Sequence, residues 1–223
     1  MAANLAVLKR GVTLPARLDR NGRMLRWGVK PVVFIACLAP AALMLWEAMA
    51  ATLGANPVEA LLHRTGDWTL RLLLVTLAVT PLRLWTGWSW PLRLRRMLGL
   101  FAFFYAVAHV VVYLWLDRQL AWDEIVTDIA ERPYVTVGFA AFLILSALAV
   151  TSPKAMVRRL GRRWQRLHRW IYPAAVLGVV HFWWLVKADV LEPLVYAVVL
   201  ALLLAVRLFG TRSRESRGAR GVS

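Results

Sequence analysis

A chain of 223 residues that is 60% hydrophobic, with a mean hydropathy of +0.58, is far more apolar than one soluble core of this size requires, so its solvent is expected to be the bilayer. The formal charge of +16 comes from 28 Lys and Arg against 12 acids, but the basic residues stand in short clusters between apolar runs instead of striping one face, which excludes a nucleic-acid-binding module. The lone cysteine, Cys37, lies inside the first apolar run and excludes an intrachain disulfide framework or a cysteine metal cluster.

Residues 1–30 form a basic leader with seven Lys and Arg. Six runs then approach the roughly 20 apolar residues that a helix needs to cross the hydrocarbon core. They cover residues 31–52, 69–87, 97–116, 134–151, 170–187 and 192–208. Ala48-Met49-Ala50 has the small-residue form of a signal-peptidase site, but the polar lead and the apolar run are both long for a cleaved signal, and the first run is expected to stay. Trp27, Trp46, Trp68, Trp85, Trp88, Trp90, Trp115 and Trp170 flank the runs, where amphipathic rings settle at headgroup level.

Lys and Arg number seven before the first run, four from Arg83 at the end of the second run to Arg96 before the third, seven between the fourth and fifth, and five from Arg207 at the end of the sixth run through the tail. The alternate loops hold only Arg64, Arg118, Arg132 and Lys187, together with Glu59, Asp67, Asp117, Asp123, Glu124, Asp128, Glu131, Asp189 and Glu192. The positive-inside rule then places both termini in the cytoplasm and makes the third and fifth helices parallel. The expected architecture is all-α: a basic cytoplasmic segment (1–30), a six-helix transmembrane bundle (31–208) and a basic cytoplasmic tail (209–223). The chain has no internal repeat, GxGxxG or P-loop, so nicotinamide chemistry must occur on another protein.

Of the four histidines, His109 and His181 lie deep inside predicted spans, where ionisable side chains are rare. A membrane histidine can simply hydrogen-bond a neighbouring helix. Depth argues for more. His109 stands 13 residues beyond Arg96 and His181 stands 12 beyond Arg169, so at 1.5 Å per residue both lie roughly 18 to 20 Å from the basic boundary. Two neutral imidazoles at one level on parallel helices suit the two axial positions of a haem iron, with the haem between the third and fifth helices. His168 lies near the basic boundary and is a candidate ligand of a second haem. Thirteen residues rotate the side chain by roughly 220° relative to His181, so a rephasing kink at Pro173 would be needed. The helix-3 position that would face His168 is Arg95. His63 precedes the second run and reads as a loop residue.

Arg71, expected one turn inside the second span, either snorkels to the headgroups or pairs with a haem propionate. Arg93, Arg95, Arg96 and the Arg158–Arg169 cluster are topology determinants that could also hold a flavin phosphate or dock an acidic reductase.

The segments Asn56-Pro57-Val58, His63-Arg64-Thr65-Gly66, Thr80-Pro81-Leu82, Arg95-Arg96-Met97-Leu98-Gly99-Leu100, His109, Arg132-Pro133-Tyr134, Thr151-Ser152 and Leu160 to His168 resemble the ferric-reductase-like transmembrane family, most closely its small bacterial MsrQ branch. The resemblance spans nearly the whole chain. It implies a haem b subunit of the bacterial inner membrane that passes electrons from the quinone pool or a cytosolic flavin reductase to MsrP, a periplasmic molybdopterin enzyme that reduces methionine sulfoxide in proteins. It also implies His109 and His181 as ligands of an outer haem, His168 as ligand of an inner haem whose helix-3 partner is absent, and FMN as a further cofactor. No substrate site of its own is evident. The competing readings are a free-standing ferric or quinone reductase and a non-redox transporter or scaffold. A transporter is disfavoured because the spans carry almost no charge beyond Arg71 and the histidines.

Overall fold

The computed structural model describes residues 25–186 and 190–219. Among these there is no strand, and the helices follow one another along the chain: α1 (Lys30–Met49), α2 (Pro57–Thr86), α3 (Arg95–Val111), α4 (Trp122–Glu131), α5 (Pro133–Val150), α6 (Lys154–Leu160), α7 (Arg162–Leu167), α8 (Ile171–Leu185) and α9 (Leu191–Ala219). The basic leader up to residue 24, together with Lys187, Asp189 and residues 220–223, lies outside the described residues. The chain divides into two compact units, residues 1–37 and 38–223, and the helix packing and the site described below lie within the second.

Five helical stretches are long and apolar enough to cross a membrane: 27–49, 57–86, 95–117, 133–150 and 191–209. The fifth expected span is α8, which has 15 residues and falls short of that length.

The largest departure from expectation is at α2, which begins at Pro57 and not near residue 69. Hydropathy passed over 57–68 because His63, Arg64 and Asp67 dilute it, yet the local chemistry is that of a helix start. Asn56 accepts a hydrogen bond from the Glu59 N–H at 3.3 Å, and Pro57 fills the first position, where no N–H is needed. The helix ends at Gly87, whose φ of 71° is the left-handed conformation that closes a helix. At 30 residues α2 is about 45 Å long, so its first turns extend beyond an apolar slab of about 30 Å. His63 is therefore a helix residue, and Arg71 stands well along α2 instead of one turn from its end.

A second departure is α4, a helix in a stretch expected to be a loop. Trp122, Ile125, Val126 and Ile129 recur at helical spacing, and Asp123 and Glu124 favour the positive end of the helix dipole. A third is α9, which continues to Ala219, so the boundary at 208 is one of polarity and not of helix.

The helices pack mainly as two pairs, α2 with α3 and α5 with α8. The helix α9 lies against α2 and α8, and α3 touches α5 more lightly. Leu70, Leu73 and Leu77 of α2 are buried with Leu98, Phe101, Ala102 and Tyr105 of α3. Ala141 and Leu145 of α5 and Ala174 and Ala175 of α8 are buried likewise. Small residues let helix backbones approach where lipid supplies no hydrophobic drive. Tyr105 is fully buried, and its hydroxyl accepts the Ala41 N–H at 3.0 Å. The outward faces remain apolar, with Trp85, Leu143, Val150 and Leu202 exposed, as a lipid-facing surface requires.

Candidate functional site: a pair of buried histidines

Each helix pair contributes one imidazole. His109, on α3, has its Nδ1 3.0 Å from the Leu62 carbonyl oxygen and 3.3 Å from Thr65 Oγ1, both on α2. The Thr65 hydroxyl donates its own proton to the Leu61 carbonyl at 2.6 Å, so toward the imidazole it is an acceptor. His181, on α8, has its Nδ1 2.7 Å from the Tyr134 carbonyl oxygen on α5. A carbonyl can only accept, so each Nδ1 carries the proton and each Nε2 lone pair is left for a ligand.

The two rings face one another with centroids 6.2 Å apart and planes at 82°. Depth counting from the basic boundary anticipated their meeting, and the rings meet across the lightly packed seam between the two pairs. The spacing fits a metal held between them. Imidazole nitrogen bonds to a first-row metal at about 2 Å, and the ring centre lies about 1 Å further back, so two rings on opposite sides stand about 6 Å apart. Among the described residues no cluster of three or more His, Cys, Asp or Glu is placed to hold a bare metal ion. The donor set thus fits a metal whose equatorial ligands come from a macrocycle and whose protein ligands are two.

Arg71 is occupied. Its Nε donates to the Tyr196 hydroxyl at 2.9 Å, its Nη2 lies 3.6 Å from Asp67 and 3.8 Å from Glu192, and its guanidinium stands over the Trp68 ring at 5.4 Å. Two carboxylates and a cation–π contact offset the cost of a cation at this depth. At the acidic end of the bundle the buried Asp128 of α4 accepts from Tyr113 at 2.9 Å, Arg118 at 2.6 Å and Arg132 at 3.0 Å. This network fastens α4 immediately before the turn that leads to Tyr134.

At the basic end His168 stands apart from the other three histidines. Trp164 stacks on its ring at 4.0 Å and donates its indole N–H to the Thr151 carbonyl at 3.0 Å, while Thr151 Oγ1 lies 3.3 Å from His168 Nε2. Burial, then the charge of Arg95, holds its imidazole below the usual pKa range. No second histidine faces it among the described residues. Pro173 does not rephase the helix by a kink. It sits in the first turn of α8, where a proline is tolerated, and the three residues His168–Trp170 form a tighter 3₁₀ turn, so no continuous α-helix joins His168 to His181. Tyr172, four residues after His168, has a hydroxyl buried without a hydrogen-bond partner among the described residues.

Sequence reasoning missed Leu62 and Tyr134 as the carbonyl acceptors that orient the imidazoles, and it missed Thr65, Tyr196 and Tyr172. A backbone carbonyl has no side-chain signature, so the first two were legible only once the packing was known.

Fold and site together define an all-α polytopic membrane protein that holds two histidines opposite one another, their ring centroids 6.2 Å apart, between helix pairs. Residues 65–179 match the family model described as ferric reductase like transmembrane component, a stretch that contains His109 and His168 and stops two residues before His181. The chain is 52% identical over 197 residues to a Xanthomonas campestris pv. campestris protein named protein-methionine-sulfoxide reductase heme-binding subunit MsrQ, covering 86% of this chain and 90% of that one. A Rhodospirillum rubrum protein of the same name is 51% identical over 204 residues, covering 90% and 93%. The chain belongs to the ferric-reductase-like transmembrane family and, within it, to the MsrQ family.

Proposed function

We propose that this chain is the haem b subunit of a methionine sulfoxide reductase system. It would carry electrons across a bacterial inner membrane to a periplasmic molybdopterin reductase of the MsrP kind. The observation that carries the reading is the His109–His181 pair, with rings 6.2 Å apart and both Nδ1 atoms committed to carbonyls. The names of the relatives, heme-binding subunits of a protein-methionine-sulfoxide reductase, supply the system.

His109 and His181 hold the outer haem, and His168 holds an inner one whose second ligand is not a histidine. With a single cysteine the chain has no C-x-x-C-H pair for thioether attachment, which leaves the group bound by ligation and burial, as in b-type proteins. When bound, the haem supplies a reversible one-electron change at iron. The chain supplies two neutral Nε2 donors, an apolar surround and fixed ring orientations. Arg71 has five donors against the three acceptors it meets, and it serves as the outer propionate partner. The inner arginines, Arg93, Arg95, Arg96 and Arg158 to Arg169, face the donor side. There they bind the phosphate of FMN or dock an acidic flavin reductase, with the quinone pool as the other donor. α8 completes a sixth span with the help of its flanking tryptophans, which puts both termini in the cytoplasm.

The test is a reduced-minus-oxidised visible spectrum with pyridine haemochrome quantification on purified protein, followed by electron delivery to the periplasmic partner from a reduced quinol or flavin. Folded wild type from haem-replete cells that binds no haem would overturn the reading.

A further inference from the structure

We propose that Gly138 is the positioning residue of His181, and that it acts by leaving open the place beside a helix carbonyl where the imidazole binds. The inference rests on the haem reading above.

In an α-helix the side chain at position i+4 lies beside the carbonyl oxygen of residue i. This protein shows what occupies that place when it can: Thr69 donates its hydroxyl to the Thr65 carbonyl at 2.9 Å, and Thr76 donates to the Leu72 carbonyl at 2.7 Å. The carbonyl that accepts from His181 belongs to Tyr134, and four residues on stands Gly138. The carbonyl that accepts from His109 belongs to Leu62, and four residues on stands Gly66. The same interval, on two different helices, brings each imidazole to the spot a hydroxyl would otherwise take. The ring Nδ1–H then gives the carbonyl a second donor, which fixes the tautomer and turns Nε2 away from the helix that carries the carbonyl.

The two positions differ in tightness. A Cβ at Gly138 would stand 2.7 Å from His181 Nδ1, 2.8 Å from Cε1 and 3.1 Å from Cγ, inside the ring's own contact radius. A Cβ at Gly66 would stand 3.4 Å from His109 Cε1 and Nδ1, which is ordinary contact. Among the described residues His181 also has a single acceptor, whereas His109 has Thr65 as a second. Gly138 is therefore required for the position of its histidine, and Gly66 tolerates alanine.

The experiment compares purified wild type, Gly138→Ala and Gly66→Ala in the full chain. The readouts are haem stoichiometry, reduction potential of the outer haem and the low-spin EPR signal of its oxidised form. Gly138→Ala is expected to weaken outer-haem binding about 10-fold or more, the usual range for loss of a group that orients a ligand, and to change the EPR g-values and potential of what remains. Gly66→Ala is expected to keep the wild-type stoichiometry and spectrum. Wild-type values for all three readouts in Gly138→Ala would overturn the proposal. A second measurement needs no variant: pulsed EPR of oxidised wild type should detect an exchangeable Nδ1 proton on each axial imidazole, and its absence on His181 would overturn the proposal even where Gly138→Ala fails to accumulate. Wild type without haem is a separate outcome, which sinks the haem reading itself.

Discussion

The two ends of the helix bundle treat histidine differently. Toward the acidic end His109 and His181 arrive from separate helix pairs, each with Nδ1 fixed by a carbonyl of its pair partner. Toward the basic end His168 has no histidine opposite, and Trp164 and Thr151 cover its ring. In the first region the hydrogen bonds leave Nε2 available, whereas in the second Nε2 is the atom that meets a hydroxyl. Orientation of the imidazole, more than its presence, separates a ready two-ligand site from a half-built one.

Breaking the first region should produce the largest effect. His109→Ala and His181→Ala are each expected to abolish the same b-type signal, since neither partner alone completes the axial set. His168→Ala should leave that signal in place and remove only an inner component. Difference spectra of the three variants decide this, and a common loss in all three would erase the contrast between the two ends.

Next in size is the support beneath the first region. Asp128→Ala removes the buried acceptor of Arg118 and Tyr113 and should lower stability by about 3 kcal/mol, the low end of the cost of breaking a buried ion pair. Thermal or denaturant unfolding in detergent would show it. Because Asp128 fastens the segment that leads to Tyr134, the outer haem potential is expected to shift with it. An unchanged midpoint would show that α4 is not coupled to the site.

Thr65→Ala takes away one of two acceptors for His109 and should cost about 1 kcal/mol, seen as a modest change in haem affinity with the EPR signal retained. Tyr172→Phe sharpens the other side of the comparison. A hydroxyl buried without a partner destabilises, so its removal should be neutral or slightly stabilising in protein stripped of haem and should weaken an inner cofactor only if that cofactor meets the phenol. His63→Ala, on the early turns of α2, is expected to leave the outer b-type signal unchanged.

Much of the bundle was legible from composition alone. Apolar runs must be helices in a bilayer, because only intrahelical hydrogen bonds satisfy the backbone there, and five such helices stand where the runs fell. The error at α2 has a clear cause: hydropathy reports which residues prefer lipid, whereas helix formation at Pro57 follows from the Asn56 cap and extends into polar sequence. The short helix α4 was likewise readable from its 3.6-residue period, but it is too short to register as a span.

The sequence by itself determined that this protein lives in a membrane as helices and that His109 and His181 reach a common level, because rise per residue is fixed and charge marks the boundary. Only the tertiary structure decided that their rings face each other at 6.2 Å, that Leu62 and Tyr134 orient them, and that Arg71 is held by Tyr196, Asp67 and Glu192. Depth is a property of one helix and can be counted along it. Rotation and the choice of acceptor depend on how neighbouring helices pack, and backbone carbonyls, which every residue carries, leave no mark in the sequence.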